Sequence, residues 1–387
     1  MSLRDRRLAS LAFANFTAGT AILIVAGLLN ELAADLRVSV AAAGQLFTAS
    51  SLAICIGAPL LAALTTGIER RLLLGLALAG LALTSFAAAL APGFATLVAV
   101  RALMGVCVAI ITPQAAASAG VLVEPAARGR ALAVVFLGFS VSTVLGVPLG
   151  TWLGALLGWR VTVAIIGGLA LAAAAAVWFA LPARLHVARM DRHAWRELAG
   201  SAAILLVIAT TVVQGTGQFV LYSYIAPALR EFVGATPLAL SLFLLWNGVC
   251  GVTGNVVAGR LIDRVGPPRI VHAALALMLA AFLLWPATRG SVAITAAAIM
   301  LWGLGCFAVQ TAQQTRLVLL APQLASASIA LNSSAIYLGQ ACGAVIGAAV
   351  INEAGLGGLS VAGALFLAAA IGVSLLAGRW HGAAGPG

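Results

Sequence analysis

Long apolar runs recur along this chain, separated by short stretches rich in Arg, Gly and Pro. They fall at 9–31, 40–65, 72–91, 95–117, 131–156, 160–181, 199–225, 237–258, 269–286, 292–315, 324–350 and 359–378. Each approaches the ~20 residues a helix needs to cross the hydrocarbon core of a bilayer. In lipid, only a helix or a closed barrel satisfies its own backbone hydrogen bonds. The runs lack the period-2 alternation of barrel strands. The pattern therefore predicts an all-α membrane protein of twelve transmembrane helices. Turn signals punctuate it at Pro92-Gly93, Gly158-Trp159-Arg160, Gly266-Pro267-Pro268 and Gly355 to Gly358. The first run has no clear small-residue cleavage site and reads as a span, not a leader.

The most polar internal stretches are 66–71, 123–130, 182–198, 259–269 and 316–323. The longest, PARLHVARMDRHAWREL at 182–198, divides six spans from six. The expected organisation is an N-terminal bundle over 1–181, a linker over 182–198 and a C-terminal bundle over 199–387. His186 and His193 read as solvated linker residues, with pH sensing as the alternative. The halves echo each other: GAPLLAALTTGIERR from Gly57 parallels GNVVAGRLIDRVGPPR from Gly254. Weak repeats of this kind predict two pseudo-symmetric six-helix bundles. With the N-terminus placed inside, sixteen arginines fall on the inner side and four on the outer, with Arg101 within a span. The excess of inner arginines puts both termini in the cytoplasm.

Composition sharpens the picture. Hydrophobic residues make up 63% of the 387 and charged residues 8%, with a mean hydropathy of +1.13. A water-facing domain carries about 25% charged residues, so this chain needs lipid around it. The net charge of +11 does not imply nucleic acid, because the charges sit in connections and not on one basic face. Every basic residue is Arg, which reads as genome composition. Cys55, Cys107, Cys250, Cys306 and Cys342 lie in apolar runs without CxxC spacing and read as small buried hydrophobes. No metal site, cofactor or catalytic constellation is expected.

Polar side chains inside the spans are the candidate chemistry. An Arg at mid-membrane costs about 2.5–3.5 kcal/mol on insertion scales, so Arg101 should face inward and find acceptors. Two readings stay open: it contacts substrate, or it bonds carbonyls of the first helix. Amides recur at helical spacing: Gln214 and Gln218 with Tyr222, then Gln310, Gln313 and Gln314, then Asn332 and Gln340. Asn15, Asn247 and Asn255 add to them. The candidate substrate cavity is Asn15, Arg101, Gln214, Gln218, Tyr222, Asn247, Gln310, Gln314 and Asn332. Single amides also serve as inter-helix glue. Gly138, Gly146, Gly150 and Gly154 put small residues on related faces of span five, allowing close helix approach, and Pro148 loosens that helix.

Three motifs carry a family resemblance. Gly259-Arg260-Leu261-Ile262-Asp263-Arg264-Val265-Gly266, after span eight, resembles the G-x-x-x-D-R-x-G loop of the major facilitator superfamily. Arg101-Ala102-Leu103-Met104-Gly105 resembles the family's R-x-x-x-G in span four. Gly146-Val147-Pro148-Leu149-Gly150 is similar to the span-five motif of its drug/proton-antiporter branch, where GPxxGG is usual. The whole chain is most similar to the arabinose-efflux-permease-like group. The resemblance implies a secondary transporter, with spans seven and ten lining the substrate pathway and Gly259, Asp263, Arg264, Gly146, Pro148 and Gly150 taking part in gating. It implies further that Asp263 meets the start of span five, near Arg128 or Arg130. The first-half loop departs from the motif, with Thr66 where Asp263 stands in the second half.

No carboxylate lies at mid-span in the sequence. A cationic solute would want a buried acid, so the expected cargo is a small neutral or anionic solute: sugar-like, nucleoside-like or drug-like. Export from the inner membrane of a bacterium, by a monomer, is the reading the resemblance supports. Proton coupling is left open. The alternative is a transport-inactive sensor or assembly partner.

Overall fold

The computed structural model describes residues 3–65, 67–124, 127–183, 185, 198 and 200–383. Thr66 lies outside them, as do Arg184, His186, Arg189, Arg192, His193 and Arg196 of the expected linker. No strand occurs among the described residues. Twelve helices are long and apolar enough to cross a membrane. They are α1 Leu3–Asp35, α2 Val40–Leu64, α3 Arg70–Ala89, α4 Phe94–Val121, α5 Arg128–Leu157, α6 Trp159–Ala180, α7 Ala202–Tyr222, α8 Pro237–Val265, α9 Pro267–Leu284, α10 Val292–Leu320, α11 Ala325–Ala354 and α12 Gly358–Ala383. A short helix, Ile225–Val233, separates α7 from α8.

Local chemistry sets the helix ends. Ser39, Ser201, Thr236 and Ser291 cap α2, α7, α8 and α10, each accepting a backbone N–H three residues on. Such caps satisfy donors that the first turn leaves free. Two reversals use a single glycine. Gly158 between α5 and α6 (φ 85°) and Gly266 between α8 and α9 (φ 87°) adopt a conformation that side chains with a Cβ resist. Inside α5, residues Ser142–Gly146 widen into a π-helical turn, and Val147 N–H reaches back to the Ser142 carbonyl. Pro148 follows directly. Its ring has no N–H and crowds the carbonyl four residues before it, which accounts for the wider register.

The chain divides into two compact units, Met1–Arg189 and Met190–Gly387. In the first, α1 packs on α5 and α6, α2 on α4, and α3 on α4 and α6. In the second, α7 packs on α11 and α12, α8 on α10, and α9 on α10 and α12. The same five pairings occur in the same order, which is the two-fold repeat the sequence echo anticipates.

Two expectations need correction. The GRLIDRVG segment is not a loop: Gly259 to Val265 form the last turns of α8, and the reversal is Gly266 alone. Arg316 is not a connection residue, since α10 continues to Leu320 and Arg316 is 5% exposed. Hydropathy marks where charged side chains begin, while backbone hydrogen bonding carries these helices further.

Candidate functional site

In the first unit, Arg101 on α4 is 4% exposed. Its guanidinium donates to the Ala21 carbonyl (2.7 Å), the Ile22 carbonyl (3.2 Å) and Ser50 Oγ (3.1 Å), and it contacts Met104 Sδ. Of the two readings of Arg101, this is the geometry of the carbonyl-bonding one. The cation ties α4 to α1 and α2 by charge-assisted bonds where water cannot compete. Gly105, one turn on, makes room: a Cβ there would overlap the Ser50 carbonyl. Asn15 is fully buried and donates to the Val135 carbonyl of α5 (3.2 Å).

The glycines of α5 seat α1. A Cβ on Gly138 would overlap the Ala12 carbonyl, one on Gly146 the Thr20 hydroxyl, one on Gly150 Ile24, and one on Gly154 Leu28. From the other side, Gly19 receives Ser142 and Gly27 receives Thr151. Gly146 and Gly150 thus lie in the tight α1–α5 contact of one unit, and Pro148 is buried between them in the sequence.

The second unit holds the amides. Gln214, 1% exposed, donates to Gln218 Oε1 (2.7 Å) and accepts from Gln310 Nε2 (3.5 Å). One turn further along α10, Gln313 donates to the Val207 carbonyl (3.1 Å). Thr211 beside it donates to Asn332 Oδ1 (2.7 Å). Spans α7, α10 and α11 are therefore joined by neutral hydrogen bonds. Gln310 Oε1, Gln313 Oε1 and Asn332 Nδ2 are buried without a partner among the described residues. Tyr222 stands edge-on to Trp302 at 5.9 Å, and a void of about 10 Å³ lies between Tyr222, Asn247, Phe243 and Trp302. That is room for one water. Gln314 is half-buried. Thr311 donates to Asn255 across α10 and α8. The structure thus brings Gln214, Gln218 and Gln310 together, places Tyr222 with Asn247, and sets Asn332 with Gln313 and Thr211.

Of the gating set in this unit, Gly259, Asp263 and Arg264 are all exposed near the end of α8. Asp263 has no ion pair or hydrogen-bond partner among the described residues of its own unit. No group of three or more potential metal ligands occurs among the described residues. Every described carboxylate lies in a connection or within about one turn of a helix end.

Sequence reasoning missed two features. Gly339, Gly343 and Gly347 of α11 face α7, where added Cβ atoms would stand 2.7, 2.7 and 2.8 Å from the carbonyl oxygens of Val212, Thr216 and Val220. Their four-residue spacing was the available signal. The other is a polar cluster at one end of α9, α10 and α12, built by His272, Arg316 and Ser374. A lone His within an apolar run was its only sign.

Twelve apolar helices, arranged as two units with one pairing scheme and with neutral polar groups held inside the spans, define a tandem-repeat membrane transporter. The chain belongs to the Major Facilitator Superfamily, whose profile matches residues 11–344. It is 31% identical over 350 residues to the inner membrane transport protein YdhP of Escherichia coli (strain K12), covering 90% of each chain. It is 37% identical over 287 residues to a chloramphenicol resistance protein of Streptomyces lividans, covering 72% of this chain and 71% of that one. Its fold is similar to the crystal structure of a bacterial homolog of the human lysosomal transporter Spinster, with TM-score 0.79, 16% identity, and 98% and 97% of the two chains covered. The protein is a membrane-embedded transporter of small molecules, not an enzyme.

Proposed function

We propose that this transporter exports a small neutral solute of the drug-like class by alternating access, from the inner membrane of a bacterium, with both termini in the cytoplasm. One observation carries the reading. The polar groups that α7 and α10 bring together in the second unit are amides, Gln214, Gln218 and Gln310, with Tyr222 beside Trp302, while the described carboxylates keep to helix ends and connections. Neutral donors and acceptors on an apolar wall suit a ligand with an aromatic or alkyl body and a few hydroxyl or amide groups. A cation would enter with no counter-charge. An anion is the weaker choice, because the buried charges of Arg101 and Arg316 are already taken up, by helix carbonyls and by Ser374 respectively. The relatives named for chloramphenicol resistance and the excess of arginines in the inner connections support the solute class and the orientation respectively.

The test is expression in an efflux-deficient bacterium against a panel of chloramphenicol, nucleosides, sugars and organic anions. Resistance to, or reduced accumulation of, at least one neutral member is expected, and Gln214→Leu should reverse it at equal membrane yield. A chain that is folded in the membrane yet alters the accumulation of no neutral member, acting only on the organic anions of the panel or on a cationic dye run beside it, would refute the solute class.

A further inference from the structure

The second unit contains a titratable group that the amide network does not use. His272 lies on α9, six positions into the helix from Pro267. Its Nε2 is 3.1 Å from Ser374 Oγ of α12. The same oxygen accepts a hydrogen bond from Arg316 of α10 (3.0 Å), and a second guanidinium nitrogen reaches the Ser374 carbonyl (3.4 Å). Ser374 is fully buried and Arg316 5% exposed. One hydroxyl therefore joins three helices.

The proton inventory of this cluster is constrained. Arg316 can only donate, so Ser374 Oγ is its acceptor. The hydroxyl's single proton is then free to point at His272 Nε2, which accepts it if the imidazole is neutral with its own proton on Nδ1. Every group facing the contact is then satisfied. Adding a proton at the Nε2 lone pair turns that acceptor into a donor. Two cations would then aim N–H groups at one oxygen, and the hydroxyl proton would lose its acceptor. Among the described residues, Arg316 is the ionic group whose field acts on His272. Ser374 from α12 is its hydrogen-bonding neighbour. Among the described residues no carboxylate pairs with His272, Arg316 or Ser374 to compensate the added charge.

We propose that His272 is a proton-binding site of this transporter, at which uptake of a proton releases Ser374 and lets α12 separate from α9 and α10. This rests on the transport reading above and gives it a route to proton coupling that uses no mid-membrane acid. The proton comes from bulk water at the nearby helix ends and returns there when the neutral contact re-forms.

The test is a distance measurement on the full chain in lipid nanodiscs. Spin labels replace Leu319 on α10 and Leu375 on α12, both exposed (64% and 52%), after substitution of the five native cysteines. Histidine changes charge between about pH 5 and 8, and helix shifts in switching proteins run to about 1–2 Å. The label separation should increase by about 2 Å from alkaline to acidic pH. His272→Gln, which keeps an acceptor and cannot titrate, should hold the alkaline distance throughout. His272→Arg should hold the acidic distance throughout. Ser374→Ala, which removes the shared oxygen, should also abolish the shift. No pH-dependent change in the parent chain, or the same change in a folded His272→Gln variant, would overturn the proposal. Counterflow of radiolabelled chloramphenicol by the parent chain without a pH gradient tests the transport reading separately. Counterflow with a pH-independent distance would sink the His272 assignment alone.

Discussion

Gly343→Ala is the sharpest test of how the second unit is built. The added methyl would stand 2.7 Å from the Thr216 carbonyl oxygen and 2.8 Å from Phe219 Cβ, where ordinary contact begins at 3.4 Å. The obstruction is the backbone of α7, which no rotamer change can move, so α11 must retreat by about 0.7 Å, the shortfall from ordinary contact. A gap of that size forfeits roughly a quarter to a half of the dispersion energy along the contact. It also pulls on the hydrogen bond from Tyr224 Oη to the Ala344 carbonyl (2.7 Å), one residue along. Overpacking of this kind costs about 1–3 kcal/mol. Replacing a helical glycine returns about 0.5–1 kcal/mol of backbone entropy. Gly372→Ala supplies the control: it lies on α12 of the same unit, with open space where its Cβ would go, so it gains the entropy without the clash. The two variants should therefore differ by the packing cost alone. For a unit of this size that is roughly 2–12 °C in apparent melting temperature, with Gly343→Ala the lower. The assay is thermal unfolding of both proteins in one detergent, read by tryptophan fluorescence and by monodispersity after heating. Equal melting temperatures, or a higher value for Gly343→Ala, would refute the close α7–α11 contact.

Three further substitutions have definite expected outcomes, two from the geometry and the third, at Asp263, from the gating role that the family resemblance implies. Arg101→Lys should destabilise the first unit more than Arg101→Met, by about 1–2 kcal/mol, because it keeps the buried charge but loses the forked donors; melting curves giving the reverse order would contradict the carbonyl-bonding role. Gly259→Ala meets open space and should leave thermal stability unchanged or slightly raised; a drop of several degrees would mean that the end of α8 is packed. Asp263→Asn removes a carboxylate from the last turn of α8, where the helix end disfavours it by about 0.3–1 kcal/mol; stability should hold or rise while transport slows, and a normal transport rate would remove Asp263 from the gating set.

The twelve spans were legible because lipid imposes one demand on every segment that crosses it, and the apolar runs answer that demand directly. The helix ends were not. Arg260, Asp263, Arg264 and Arg316 are charged yet helical, since hydropathy reports solvent and not backbone hydrogen bonding. The inward-facing role of Arg101 was visible from the cost of burying it, and carbonyls of the first helix were one of its two expected partners; that these are Ala21 and Ile22 depends on a contact about 80 residues distant in sequence. The amide stripes on α7 and α10 were readable from their spacing. That Gln310 meets Gln214 while Gln313 meets Val207 and Thr211 is a matter of helix rotation, which periodicity alone does not set. Gly339, Gly343 and Gly347 carried a signal in their four-residue spacing, but that they seat α11 against α7 shows only once the partner helix is in place. Ser374 and His272 were missed for the related reason that each is ordinary alone and chemically pointed only when Arg316 is beside them.

The central claim is that this chain moves a small neutral solute across a bilayer. Its most direct test is counterflow: purified protein in liposomes preloaded with unlabelled chloramphenicol, diluted into a trace of the labelled compound. The account predicts transient, saturable accumulation above that of protein-free liposomes, diminished in Gln214→Leu. No accumulation of chloramphenicol or of any other neutral solute on the panel, by protein shown to be folded and correctly inserted, would contradict it.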